Sequence, residues 1–238
     1  MDDSKFVDYS DGNFHMQGFM ARMQAHAKQP IVLVVHDWRG CVEFAQEKAK
    51  YFAKLGYFGF AVDLFGKGKR GSDTDKGVNQ KLIGEVLENR PCIVSRLNAA
   101  IACAQEFENV QTDKIIAIGF CFGGLCVLDL ARSGAKLSGV ISVHGLLNPP
   151  ANNDTSITAK VLALHGYHDK SVTPQTLTDF HAEMDRCKAD WQSHVFGKAY
   201  HAFTNPKAHD IEAGLMYDRD ADARTWDLVR AFTAELFG

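Results

Sequence analysis

The stretch "KIIAIGFCFGGLCVLDL", residues 114–130, joins two apolar runs through a short glycine-rich turn. The letters "KIIAIGF" are typical of a buried strand, and "GLCVLDLAR" is typical of a helix. A single cysteine, Cys121, stands between Gly119 and Gly123 in the order G-x-C-x-G. At a strand-to-helix junction this order predicts a nucleophile elbow, a sharp strained turn that lifts a nucleophilic side chain above the sheet.

The residue types in this turn suit a thiol nucleophile. Glycines are needed on both sides because a Cβ atom would clash where backbone segments crowd together. The N-terminus of the following helix lies beside the sulfur and favours its thiolate form. The alternative is a buried structural cysteine at a helix start. Catalytic partner residues elsewhere in the chain must be found to distinguish the nucleophile from the structural cysteine.

Strand and helix patterns alternate on both sides of the turn, which predicts a mostly parallel sheet flanked by helices. Strands are predicted at "IVLVV" (31–35), "YFGFAVDLF" (57–65), "GVISVHG" (139–145), "KVLALHG" (160–166) and "WQSHVFG" (191–197). Helices are predicted at 43–56, in two segments on either side of Pro91, at 174–189 and at about 221–237. An antiparallel hairpin is predicted at the start, around "SDGN" (10–13), and a loop at "NPPANNDTS" (148–156). No linker or repeat interrupts the chain, so we expect one domain, 1–238.

Composition excludes several classes of protein. The chain has 26 Lys and Arg against 29 Asp and Glu, so no concentrated basic surface indicates a nucleic-acid or membrane partner. No apolar stretch approaches the roughly 20 residues that cross a bilayer. The start, "MDDSKFVDYSDG", lacks the basic and apolar parts of a signal peptide, so a cytoplasmic location is expected. The six cysteines contain no C-x-x-C pair, and no disulfide framework is expected.

A thiol nucleophile requires a base, and the base requires an orienting acid. In this architecture the chain order is nucleophile, acid, histidine. Asp169 follows the predicted strand 160–166, and His201 follows the predicted strand 191–197. Sites in parallel sheets lie beyond the carboxyl ends of the strands, so both residues are expected at the same edge as Cys121.

Other histidines are weaker candidates for the base. His209, in a later polar loop, is the best rival to His201. Four others lie within a strand, within a helix, or before the acid at strand ends where they could line a pocket: His194, His181, His144 and His165. His165 and His168 together could suggest a metal site, but zinc needs three or four convergent ligands. No metal is therefore predicted.

An oxyanion hole needs two backbone N–H donors. The residue after the nucleophile, Phe122, supplies one, and a loop after an early strand supplies the other. "IVLVVHDWRG" (31–40) provides that loop, with Trp38 as the expected donor. Asp37 would then stand near the thiol and modulate it, although a helix-capping or loop carboxylate is the alternative.

Taken together, these motifs resemble the dienelactone hydrolase family, a branch of the α/β-hydrolases with a cysteine nucleophile. The resemblance covers nearly the whole chain: "SDGNFHMQGFMA", "IVLVVHDWRG", "LGYFGFAVDLFGKG", "IGFCFGG", "LALHGYHDKSVTP" and "YHAFTNP". It implies an α/β-hydrolase fold with Cys121 as nucleophile, His201 as base and Asp169 as orienting acid. It also implies hydrolysis of small esters or lactones, as in carboxymethylenebutenolidases, without a cofactor.

The chain departs from the family pattern at three positions. A glutamate usually stands where this chain has Asp37, a serine where it has Ala202, and a substrate-binding arginine where it has Asn205. The resemblance therefore supports the reaction class better than it supports dienelactone as the substrate. Neutral esters are expected to be turned over at least as well as acidic ones.

Tyr167 is expected to contact the substrate because it stands two residues before Asp169. Arg39, in the oxyanion loop, and Arg90, directly before Pro91, are expected anion contacts, and a surface position is the alternative for each arginine. Alternative functions are a thioesterase or an acyl-peptide hydrolase on the same residues, or a redox-sensing thiol protein without hydrolytic activity. The expected partner is a small molecule, and the expected state is a monomer or a small homo-oligomer.

Overall fold

A computed structural model describes residues 2–24, 27–151 and 155–238, so the centre of the loop predicted at 148–156 lies outside the described residues. The predicted α/β class is confirmed: the main sheet has eight strands, is mostly parallel, begins with an antiparallel hairpin and is flanked by helices. Two compact units, Met1–Ile118 and Gly119–Gly238, divide the chain. A single domain stays a prediction.

The first unit contains the N-terminal hairpin and three helices. Its elements are β1 (Asp2–Asp11), β2 (Phe14–Met23), β3 (Gln29–Val35), α1 (Glu43–Lys54), β4 (Phe58–Ala61), α2 (Lys76–Leu87), α3 (Cys92–Gln105) and β5 (Val110–Phe120), which ends just past the division. The hairpin is where the sequence predicts it, with Asp11 opposite Phe14 and Gly12 at a φ of 55°. Strands β3 and β4 are parallel, and β4 also pairs with β2.

Close packing of α1 against β4 forms much of the core of this unit. The helix buries one face, which carries Ala45, Ala49, Phe52 and Ala53. In β4, a Cβ atom at Gly59 would lie 2.2 Å from the carbonyl oxygen of Ala49, so the helix backbone lies directly on the strand. Only glycine permits so close an approach.

Strand β4 is shorter than the predicted strand at 57–65, because Asp63 turns the chain out of the sheet. Its buried carboxylate accepts hydrogen bonds from the backbone N–H groups of Phe65 at 3.0 Å and Gly66 at 3.1 Å. It also accepts one from the N–H of Gln17 at 3.0 Å. An aspartate that bonds nearby backbone groups favours a turn over a strand.

The second unit continues the strand–helix alternation. Its elements are α4 (Phe122–Arg132), β6 (Gly139–Val143), β7 (Lys160–Gly166), α5 (Pro174–Arg186), β8 (Trp191–Phe196), β9 (His209–Asp210), β10 (Leu215–Met216) and α6 (Arg219–Phe237). Strands β6, β7 and β8 are parallel neighbours, and α4 and α6 pack on β6. Within the described parts of the chain, no helix is both long and apolar enough to cross a membrane.

We predict that Gly59→Ala lowers the free energy of unfolding by about 3 kcal/mol, because the added methyl group forces α1 away from β4. The matched control is Gly84→Ala in α2, where no atom lies within 4 Å of the added Cβ. That variant should be more stable by about 0.5–1 kcal/mol, since alanine favours a helix over glycine. Urea unfolding measures both. A Gly59→Ala variant as stable as the wild type would contradict the packing of α1 on β4.

Candidate active site

The turn between β5 and α4 has the geometry of a nucleophile elbow. Cys121 is the N-cap of α4 and has φ 54° and ψ −116°, a left-handed backbone that is rare outside glycine. Its N–H donates to the carbonyl oxygen of Val143 at 3.1 Å, and its carbonyl accepts from the N–H of Gly124 at 3.0 Å. These bonds hold a strained conformation, of a kind that clusters at functional sites.

The glycines around Cys121 allow three backbone segments to meet. A Cβ atom at Gly119 would lie 1.9 Å from the carbonyl oxygen of Gly123. One at Gly124 would lie 2.6 Å from the Cα atom of Gly145. No side chain fits at either position without moving backbone, so glycine at 119 and at 124 has a direct steric cause.

The expected acid and histidine meet at the carboxyl ends of neighbouring strands. Asp169 follows β7 and His201 follows β8, and the distance from His201 Nδ1 to Asp169 Oδ2 is 2.7 Å. Both residues are buried. The side chain of Cys121 also acts on the ring of His201, because it raises the pKa of that ring. Because Nδ1 faces the carboxylate, Nε2 is the ring nitrogen left for the sulfur.

Electrostatics keep His201 protonated. Burial alone would lower the pKa of His201, but the charge on Cys121 and the hydrogen bond to Asp169 outweigh it and raise that pKa to about 10. The imidazole therefore holds its proton at neutral pH and loses it only as the pH rises through about 10. A protonated imidazole beside a sulfur atom favours the thiolate, which is the nucleophilic form.

The acid is itself held in place. Asp169 Oδ1 accepts a hydrogen bond from the backbone N–H of Ser171 at 2.8 Å, which leaves Oδ2 directed at His201. Orientation of a histidine by a fixed carboxylate is the third part of an activated nucleophile.

The backbone of His201 is positioned by a segment that the sequence does not reveal. Its N–H donates to the carbonyl oxygen of Gly214 at 3.0 Å, and its carbonyl accepts from the N–H of Met216 at 3.1 Å. Directly after it, Ala202 has a φ of 58°. Strands β9 and β10, which build this segment, have two residues each and are too short to give a periodic pattern.

The rival histidines occupy different environments. His209 lies exposed in β9, opposite Met216. His165, at the end of β7, is buried, and this burial lowers its pKa. Neither has the 2.7 Å carboxylate contact that His201 makes with Asp169.

Aromatic side chains near these groups fall into two sets. Phe120 and Phe122 are buried and belong to the core, although Phe122 is also the first residue of α4, where backbone N–H groups point beyond the helix. Tyr167 is 53% exposed and lies two residues before Asp169, with its ring 5.6 Å from that of His168. Of the three, Tyr167 is the one that a solvent-borne molecule can contact.

The remaining predicted site residues belong to the first unit. Asp37 and Arg39 are both buried and form an ion pair, with 2.5 Å between Oδ2 and Nη2. Arg39 Nη1 lies 2.6 Å from Asp73 Oδ1, so two carboxylates engage one guanidinium. Trp38 is half-buried in the turn between them, and Arg90 lies half-buried in the turn between α2 and α3. Their roles toward a substrate stay predictions.

In the described ranges 2–24, 27–151 and 155–238, no three His, Cys, Asp or Glu residues are arranged to hold a metal ion. The pair suggested by the sequence, His165 and His168, is not joined by further ligands in those ranges. His168 instead lies exposed, with its ring 5.2 Å from that of Tyr200.

A strained elbow with a thiol, a buried carboxylate and a histidine at the ends of parallel strands defines a hydrolase of the α/β type. The family model described as "Dienelactone hydrolase family" matches residues 16–237. The chain belongs to the dienelactone hydrolase family. It is therefore an enzyme of a hydrolase family, as the sequence predicts.

Individual relatives agree with this assignment. A solved structure described as a dienelactone hydrolase-like promiscuous phosphotriesterase from metagenomic libraries superposes with a TM-score of 0.93 at 33% identity, covering 100% of this chain and 99% of that one. A Synechocystis sp. protein named "Putative carboxymethylenebutenolidase" is 25% identical and covers 97% of this chain and 96% of its own. An uncharacterized protein of Caenorhabditis elegans is 37% identical over 60% of this chain and 92% of its own.

We predict that iodoacetamide at neutral pH modifies Cys121 before any other cysteine. Burial raises the pKa of Cys41 to about 12 and of Cys103 to about 11, and it also raises the pKa of Cys92. The alkylation rate at Cys121 is to be measured between about pH 6 and 9, a range over which the raised pKa of His201, about 10, keeps its imidazole protonated. Peptide mapping by mass spectrometry measures the rate.

Two variants sharpen this measurement. Asp169→Asn removes the carboxylate that favours protonated His201, so alkylation of Cys121 should slow most at the acidic end of the range. Cys103→Ser, at a partly exposed position, should change nothing. Stoichiometric alkylation of another cysteine while Cys121 stays unmodified would contradict the prediction.

Proposed function

We propose that this chain hydrolyses small carboxylic esters or lactones through a thioester formed on Cys121. The observation that carries the proposal is the 2.7 Å contact between His201 Nδ1 and Asp169 Oδ2, on a histidine whose pKa the Cys121 side chain also raises. Membership of the dienelactone hydrolase family supports the reaction class. The family model spans 16–237, which supports a single domain that includes both compact units.

The first half of the reaction forms the thioester. The Cys121 thiolate attacks the carbonyl carbon, and the electron pair of the C=O bond moves onto its oxygen. When that pair returns, the bond to the alkoxy oxygen breaks. His201 gives its proton to the departing alkoxide and becomes neutral. Asp169 holds the ring so that Nε2 faces the reacting atoms.

The second half releases the acid. Neutral His201 takes a proton from water as the water oxygen attacks the thioester carbonyl. The bond from carbon to sulfur then breaks, and the sulfur leaves as the thiolate. The enzyme returns to the pair of thiolate and imidazolium with which it began, so the raised pKa of His201 fits the resting state.

Charge on the carbonyl oxygen needs stabilisation in both halves. We assign this role to the backbone N–H groups of Phe122 and Trp38, a pair of donors of the kind that contributes about 3–4 kcal/mol per donor in other hydrolases. Asp37 is assigned a secondary role in modulating the thiol. Its ion pair with Arg39 limits the charge it can present.

Neutral substrates fit the available side chains best. Asn205 carries no charge, and its Oδ1 accepts a hydrogen bond from the N–H of Lys207 at 3.1 Å. Arg39 is already engaged by Asp37 and Asp73. The exposed ring of Tyr167 offers an apolar contact instead. Arg90 is a further expected contact for a substrate.

A second candidate activity is hydrolysis of neutral phosphate triesters. The relative with a TM-score of 0.93 and 33% identity is described as a promiscuous phosphotriesterase. This description favours phosphotriester hydrolysis over other additional activities of the same site. A thioesterase, an acyl-peptide hydrolase and a redox-sensing thiol without turnover are further functions that the same residues could support.

We further propose a cytoplasmic location, no cofactor, no nucleic-acid or membrane partner, and a monomer or small homo-oligomer.

The proposal is tested by assaying wild type and Cys121→Ala with 4-nitrophenyl esters, small lactones, acyl thioesters, an acylated peptide and diethyl 4-nitrophenyl phosphate. Wild type should hydrolyse esters or lactones, and Cys121→Ala should lose at least about 10³-fold in kcat while it stays folded. Asp169→Asn combined with His201→Ala should be little worse than His201→Ala alone, since the two act as one unit. Full activity of Cys121→Ala would refute the thioester route.

We also predict that neutral esters are turned over at least as well as acidic ones. The assay compares kcat/KM for two esters that differ only in a free carboxylate or its amide. A preference for the carboxylate of about a hundredfold, near 2.7 kcal/mol, would show that a cation recognises the substrate. Arg39→Ala and Arg90→Ala would then identify which one does so.

A further inference from the structure

His144 is a buried histidine beside the proposed reacting groups that the mechanism above does not use. It follows β6 with a φ of 40°, so its backbone, like that of Cys121, is left-handed. Its N–H donates to the carbonyl oxygen of Leu164 at 2.8 Å. A left-handed backbone on a residue other than glycine is strained and persists only where the surroundings enforce it.

The two ring nitrogens of His144 bond to two different parts of the site. Nδ1 lies 3.2 Å from the backbone nitrogen of Cys121, and Nε2 lies 2.9 Å from Thr204 Oγ1. The backbone N–H of Cys121 can only donate, and it is shared between the carbonyl oxygen of Val143 at 3.1 Å and Nδ1, so Nδ1 accepts. The ring proton therefore sits on Nε2 and is donated to the Thr204 hydroxyl.

This ring is also packed against the proposed base. Its centroid lies 5.3 Å from that of His201 and 5.0 Å from that of Phe203, and both contacts are edge-on. His144 and Thr204 are both buried, so water does not compete for these bonds. A second positive charge on His144 would face the protonated ring of His201. It would also place a donor where the Cys121 N–H has its second acceptor, beside the carbonyl oxygen of Val143.

We infer that His144 is a positioning residue that, as a neutral ring protonated on Nε2, joins the backbone of Cys121 to the segment that follows His201. The inference rests on the proposed function, because it concerns the relative placement of the nucleophile and its base. Misplacement of reacting groups by about 1 Å costs on the order of a hundredfold in rate, so a link of this kind has a measurable effect.

The test uses variants that remove one bond each. His144→Phe keeps a ring and removes both nitrogens. His144→Asn retains an acceptor near the Nδ1 position, whereas His144→Gln retains a donor near the Nε2 position. Thr204→Val removes the acceptor of the Nε2 proton. The matched control is Thr225→Val, because the Oγ1 atom of Thr225 is buried and has no hydrogen-bond partner among the described residues.

We expect His144→Phe to lower kcat about thirtyfold, and Thr204→Val about fivefold, with KM changed less than about threefold. The double variant should be no worse than His144→Phe, since both remove one connection. His144→Asn should recover more of kcat than His144→Gln, and Thr225→Val should match wild type. The ¹⁵N NMR signals of His144 should report a proton on Nε2.

Several outcomes would overturn the inference. One is a kcat within about twofold of wild type for both His144→Phe and Thr204→Val. Another is an equal loss of kcat in His144→Asn and His144→Gln, with each loss in proportion to the fall in melting temperature. The third is a His144 ring protonated on Nδ1. If His144→Phe does not fold, Thr204→Val and His144→Asn decide the question. Activity that survives in Cys121→Ala would instead refute the proposed function, so the two failures are distinguishable.

Discussion

The left-handed backbone of Cys121 is the constraint on which the site depends. A residue with φ 54° and ψ −116° between a strand and a helix leaves no room for side chains on the neighbouring segments. Glycines at 119 and 124 answer that requirement, because a Cβ atom at either would fall within 1.9–2.6 Å of backbone. Backbone hydrogen bonds from Cys121 to Val143 and Gly124 stabilise the strained conformation and connect the turn to β6 and to α4.

Charge in the second unit is arranged around this turn. Burial disfavours a protonated imidazole, yet Cys121 and Asp169 together raise the pKa of His201 to about 10. A carboxylate and an imidazolium are each costly to bury, and the two charges offset one another when they are hydrogen-bonded. Such a set of coupled groups is typical of a functional site and is uncommon in an ordinary core.

The sequence predicts most of this arrangement because its signals are local. Strand and helix periodicity locates β3, β5, β7, β8 and the major helices, and the spacing of Cys121, Asp169 and His201 follows from the order of strand ends. The sequence predicts the wrong limits for β4, because a single buried carboxylate, that of Asp63, ends the strand. Strands β9 and β10 are missed because two residues carry no period, and they position His201 through pairing that only the fold creates. The engagement of Arg39 by Asp37 and Asp73 is likewise invisible, since Asp73 stands 34 residues away.

The proposed catalysis passes through an acyl group on the sulfur of Cys121. Rapid mixing with a 4-nitrophenyl ester, acid quenching within the first turnover and mass spectrometry of the intact protein and its peptides test it directly. A thioester route predicts a protein heavier by one acyl group, with that group on the peptide containing Cys121 and decaying at the rate of steady-state turnover. An acyl group on a different residue, or turnover with no acylated protein at any quench time under conditions where 4-nitrophenol is released in a burst, would contradict it.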